Sequence, residues 1–149
     1  MPQDGKKFSL IKPTVNTPFR IDFDWWRQND SNWRIFLLDF LCDEHKNAFS
    51  IQLDDQLIDA IDPETAEVTQ VDGLLYELIN HCAQQEGFLK QNLPLVAQIF
   101  RIFLSNGNHP LNANQLSEKI GKPARTILVT IGGHRVYKGI RPVLEKQPK

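Results

Sequence analysis

The sequence predicts a mainly α fold of the α+β class: a helical amino-terminal part with short strands, then two short helices and a hairpin. Apolar residues recur at helical spacing in several separate segments, which is the first of three observations behind that expectation. Short stretches around positions 19–23 and 49–53 alternate apolar and polar residues with period two. Proline, glycine and asparagine clusters separate these segments at the points where chain reversals are needed.

Positions 1–17 carry three lysines, Pro2 and Pro13 and few apolar residues, and are expected to form a flexible arm. Phe19, Ile21 and Phe23 alternate with Arg20 and Asp22, as in a short strand or an extended lead-in. From Ser31 the period becomes helical. Trp33, Phe36, Leu37, Phe40 and Leu41 share one face, Ile35 and Leu38 widen it, and Asp30 or Ser31 is available as N-cap. So broad an apolar stripe belongs in a core or a dimer interface.

Phe49, Ile51 and Leu53 alternate again, and Leu57, Ile58 and Ile61 precede the turn residues Asp62, Pro63, Glu64 and Thr65. Thr69 and Asp72 form a capping-box pair ahead of a helix with Leu74, Leu75, Leu78, Ile79 and Cys82 on one face, closed by Gly87. Pro94 suits the first turn of a third helix over 95–105, stopped by Asn106, Gly107 and Asn108.

The next two helices are short. Asn112 and Gln115 form a capping pair for a helix with Leu116 and Ile120 inward, and Gly121 closes it. Pro123 opens the second, to Ile131, with Ala124, Ile127, Leu128 and Ile131 as its buried stripe. Its opposite face carries Lys122, Arg125, Thr126 and Val129, with Thr130 beside them. After the break at Gly132 and Gly133, positions 134–137 and 140–143 read as two strands of a hairpin bearing Arg135, Lys138 and Arg141.

Charge follows the same division. The chain has 149 residues and a net charge of −1. Positions 1–92 hold eight Lys/Arg and sixteen Asp/Glu, net −8, whereas 93–149 hold nine Lys/Arg against Glu118 and Glu145, net +7. An acidic interaction part joined to a basic nucleic-acid-facing part has this pattern, and so do two halves that attract each other. The expected divisions are the arm 1–17, an acidic, aromatic-rich packing or self-association part 18–92, and a basic part 93–149.

Together, positions 95–143 resemble the winged helix-turn-helix family: a leading helix, a helical pair with a glycine turn, and a basic wing. The resemblance implies double-stranded DNA as partner, read by Lys122, Arg125, Thr126, Val129 and Thr130 in the major groove, with Arg135, Lys138 and Arg141 on the wing. Ser117 and Lys122 stand where that family commonly has apolar residues. If Lys122, Arg125, Arg135, Lys138 and Arg141 all contact phosphate, log affinity should fall against log salt with a slope of roughly −4. A dimeric transcriptional regulator is the role this implies. The alternative is a non-enzymatic adaptor that docks protein through the same fold, its acidic part meeting a basic partner.

A second constellation is metallic. Cys42 and His45 are spaced C-x2-H, and His81 adjoins Cys82, making a Cys2His2 set suited to zinc. Cys42 and His45 would share a helix face at i and i+3. Adjacent helical residues point about 100° apart, so His81 and Cys82 can share an ion only where their helix gives way. The competing reading makes Cys82 a buried apolar residue continuing the stripe of Leu74 and Leu78. No cofactor is otherwise expected.

Other classes find little support. Trp25, Trp26, Trp33 and the neighbouring phenylalanines sit among carboxylates, so packing is preferred to base stacking. The acidic residues over 54–67 lack the order of an EF-hand loop. Gly121 and Lys122 are followed by proline, which excludes a Walker A motif, and no hydrolase, zinc-protease or dinucleotide fingerprint occurs. A non-enzyme is expected. No apolar run approaches the ~18 residues of a membrane span. The first dozen residues lack a secretory apolar stretch, and two cysteines do not make a disulfide scaffold, so a cytoplasmic location is expected.

Overall fold

Helices and one short antiparallel pair share one core. The structure, a computed structural model, describes residues 12–49 and 57–143. The elements are β1 (Phe19–Ile21), α1 (Phe23–Asn29), α2 (Trp33–Leu38), α3 (Asp43–Phe49), β2 (Leu57–Ile61), β3 (Val68–Asp72), α4 (Gly73–Asn80), a 3-10 turn (Cys82–Gln84), α5 (Leu95–Ser105), α6 (Ala113–Ile120), α7 (Ala124–Ile131) and β4 (Ile140–Pro142). No helix among the described residues is long and apolar enough to cross a membrane.

The apolar face of α5 is the centre of the molecule. Ile99, Phe100, Phe103 and Leu104 are fully buried, as the spacing of this helix requires. Trp26 meets Phe100 edge to face, with ring centroids 5.7 Å apart, and also packs against Trp33 and Phe36. Such pairs add about 0.5–1.5 kcal/mol beyond burial. The tryptophan-rich segment is thus core, and one contiguous cluster joins it to Leu116, Ile127, Ile131 and Ile140. The acidic segment 18–92 and the basic segment 93–149 supply that cluster together. Of the arm 1–17, residues 12–17 are described; Val15 packs against the core and Thr17 N–H donates to the Thr14 carbonyl.

Strand β1 is held on both edges. It pairs antiparallel with β4, Phe19 opposite Pro142 and Ile21 opposite Ile140. On its other edge Phe19 exchanges backbone hydrogen bonds with Leu111, while the Asn108 side chain accepts from Ile21 N–H at 2.9 Å and donates to Ile21 C=O at 2.8 Å. An amide side chain there does the work of a third strand.

This pairing corrects the expected hairpin over 134–143. Residues 134–137 form no strand; a single bridge, Tyr137 to Ile140, survives, and β4 takes β1 as its partner. The reversal is too tight for a ladder: Lys138 and Gly139 both have left-handed φ, and a Cβ on Gly139 would lie 3.0 Å from the Asp22 carbonyl oxygen. Two other expectations change. Thr69 lies within β3 opposite Ala60, because the β-branched run pairs with β2, and Asp72 alone caps α4 by accepting from Leu74 and Leu75 N–H. The second helix runs only from Trp33 to Leu38, leaving Phe40 and Leu41 in the following turn. Phe49 closes α3, and Ile51 and Leu53 lie outside the described residues.

Candidate functional site

Two sites assemble at opposite ends of the sequence pattern. The first begins with the end of α4. The helix ends at Asn80; His81 N–H still donates to the Glu77 carbonyl, but His81 itself turns out of helical geometry (φ −125°, ψ −63°), and Cys82 starts the 3-10 turn. That break removes the angular obstacle to adjacent ligands. Cys42 sits immediately before α3, its carbonyl accepting from Lys46 N–H, and His45 lies one turn along.

The four side chains converge. Cys42 Sγ is 3.3 Å from His45 Nδ1, 3.6 Å from His81 Nδ1 and 3.4 Å from Cys82 Sγ, and Cys82 Sγ is 3.5 Å from His45 Nδ1. Zinc bonds of ~2.3 Å to sulfur and ~2.0–2.1 Å to nitrogen imply tetrahedron edges of about 3.3–3.8 Å. These four of the six edges fall in that interval, and all four ligand atoms lie within 4.8 Å of one another. Both thiols are free, and their sulfurs are well beyond the ~2.05 Å of a disulfide.

The surroundings favour a cation. Cys82 is 2% exposed, and burial pushes its thiol up to about 11 in the absence of a metal. Glu77, on α4, places Oε1 3.3 Å from His45 Nε2. A carboxylate on the outer imidazole nitrogen directs the inner Nδ1 lone pair toward an ion. Glu77 was not legible as part of the set; its one signal is the four-residue interval to His81 on a helix. Two cysteines and two histidines brought together in this way could hold a metal ion, and the set has the composition of structural zinc sites.

The second site is the exposed side of α7. The turn before it holds Gly121 at φ +87°, and Ser117 Oγ donates to the Lys122 carbonyl at 2.6 Å. The hydroxyl of Ser117 thus fastens the reversal. The capping box of Asn112 and Gln115 is complete in both directions. Ile127 and Ile131 are buried, with Ala124 and Leu128 half-buried beside them. Lys122, Arg125 and Thr126 are exposed, and Val129 is 77% exposed. Thr130 is half-buried, its hydroxyl donating to the Thr126 carbonyl at 2.8 Å.

The remaining expected cations divide. Arg135 is exposed. Lys138 places Nζ 4.4 Å from the centroid of the Phe36 ring, and Arg141 donates to Asp22 at 3.0 Å while lying over Trp25. Those two serve contacts between the carboxy-terminal and amino-terminal segments. No protein-family profile, curated protein or solved structure matched the chain.

Proposed function

We propose that the chain binds double-stranded DNA as a winged helix-turn-helix, through the outer face of α7, and that a structural zinc ion is held by Cys42, His45, His81 and Cys82. The DNA reading is carried by one observation: the second helix of the pair presents Arg125, Thr126 and Val129 outward, with Lys122 exposed in the turn before it, while its apolar stripe is spent on the core. A guanidinium can pair with a guanine edge, and an exposed isopropyl group can meet a thymine methyl. Transcriptional regulation as a dimer on two half-sites is the natural use of such a face.

With Lys122, Arg125 and Arg135 exposed and Lys138 and Arg141 engaged within the chain, about three phosphate contacts are expected. A duplex shift assay across salt concentrations should give a log–log slope near −3. The Lys122→Ala/Arg125→Ala/Arg135→Ala variant should lose most of that binding at low salt. Equal affinity of variant and wild type would remove the DNA reading and favour the protein-docking adaptor.

Zinc at Cys42, His45, His81 and Cys82 is supported by the convergence of two sulfur and two imidazole donors, four of whose separations match the edges of a zinc tetrahedron. Elemental analysis of protein purified without chelators should find one zinc per chain, and cobalt substitution should give the intense visible bands of a tetrahedral thiolate site. Metal far below one equivalent, with no cobalt spectrum on reconstitution, would end the zinc reading.

A further inference from the structure

The two sulfur ligands differ in their access to solvent, and that difference has a chemical consequence. A cleft of about 280 Å³ opens beside the cluster and is lined by Cys42 and Cys82 together with Lys46, Lys90 and Arg101. Neither histidine lines it. Cys42 is half-buried whereas Cys82 is 2% exposed. Arg101 is a fixed cation: its guanidinium lies 4.8 Å from both the Phe40 and Phe88 ring centroids, and Nη1 donates to the Phe88 carbonyl at 2.9 Å. Its buried Nε–H has no hydrogen-bond partner among the described residues. Asp39 and Glu86 also line the cleft, leaving it one positive charge in excess.

Resting on the zinc reading, we infer that Cys42 and Cys82 are a peroxide-modification site: hydrogen peroxide entering this cleft oxidises the pair to a disulfide and expels the metal. Cys42 Sγ, the accessible thiolate, attacks one peroxide oxygen; the O–O bond breaks and hydroxide leaves into the cationic cleft, where a solvent proton makes it water. Cys82 Sγ, 3.4 Å away, then attacks the sulfenic sulfur, the S–S bond forms, the S–O bond breaks, and the second oxygen leaves and is protonated to water. Two electrons pass from the thiolates to the peroxide, and two protons are consumed. The ion, left with His45 and His81 alone, dissociates. The sulfur pair needs to close by roughly 1.4 Å to reach disulfide length.

The test begins with zinc-loaded full-length protein, its metal content measured before peroxide is added. Up to tenfold molar hydrogen peroxide is then supplied, released zinc is followed with a chromogenic chelator, and the cysteines are mapped after alkylation. One zinc released per chain with a Cys42–Cys82 disulfide is the expected result. The Lys46→Glu/Lys90→Glu variant, which keeps all four ligands, should start with the same zinc content and release it about threefold more slowly or slower still, since charge reversal removes the field that favours the departing hydroxide. Retained zinc, oxidation of Cys42 to sulfinate with Cys82 unmodified, or a wild-type rate in the charge-reversed variant would overturn the inference. Protein that holds no zinc before peroxide is added overturns the zinc reading itself, and this one with it.

Discussion

Removing the proposed zinc with a strong chelator is expected to lower the thermal midpoint by about 10–15 °C, reversibly on return of zinc. A ligand held at a thousand times its Kd stabilises by about 4.1 kcal/mol, and a chain of this size shifts by roughly 2–4 °C per kcal/mol. Structural zinc sites commonly exceed that threshold, with apparent binding energies of about 10–16 kcal/mol. The site ties the start of α3 to the end of α4, two segments otherwise linked through the β2–β3 hairpin. Cys82→Ser should reproduce the chelated state and make it insensitive to added zinc. Acid should act in the same direction, because binding releases protons: stabilisation by zinc is present while the ligands are deprotonated and is lost as pH falls. Scanning calorimetry with and without chelator checks all three, and an unchanged midpoint would contradict the zinc site.

The second large effect is expected at Asp72. Its carboxylate caps α4 through Leu74 and Leu75 N–H and pairs with Arg34, a guanidinium on α2 that is only 7% exposed. Asp72→Ala removes the cap, costing about 0.5–2 kcal/mol, and also takes one carboxylate partner from a buried guanidinium, so the loss should exceed that of a cap alone. Asp72→Asn separates the two contributions. Asparagine caps as well as aspartate does, so its loss should report the charge pair alone. Denaturant midpoints measure each variant; Asp72→Asn within about 0.5 kcal/mol of wild type would show that the pair contributes little.

Local chemistry was readable in advance where it alone decides the outcome. The apolar spacing over 95–105 matches α5 residue for residue, Asn112 and Gln115 close both bonds of their box, and Gly121 takes the left-handed conformation its position called for. The misses share a different cause. Thr69 has the right offset to Asp72 for a cap, yet pairing with β2 draws it into a strand. Ile140–Pro142 reads as the return strand of a hairpin, and only the tertiary position of Phe19–Ile21 makes it the partner of β1.

The metal cluster lay between these cases. Ligand types and the C-x2-H spacing were visible, but the end of α4 at Asn80 has neither glycine nor proline to announce it, and Gly87 drew the boundary too far along. His81 leaves helical geometry where packing and the following 3-10 turn require it, and that departure is what lets neighbouring residues share one point in space. On α7 the exposed face was legible from periodicity. That Lys138 and Arg141 lie against Phe36, Trp25 and Asp22 was not, because those partners are remote in sequence.

The pairing of β1 with β4 also sets a clock on biosynthesis. Asp22 and Arg141, which join at the end of that pairing, are 119 residues apart. At ribosomal rates of about 5–20 residues per second, the first strand waits roughly 6–24 s for its partner to emerge. Throughout that interval Phe19 and Ile21, fully buried in the finished molecule, have no β4 to cover them. The nascent chain therefore passes through a stage in which β1, the earliest strand among the described residues, is a natural client for holding chaperones, and the proposed DNA-binding module matures last, when β1 and β4 meet.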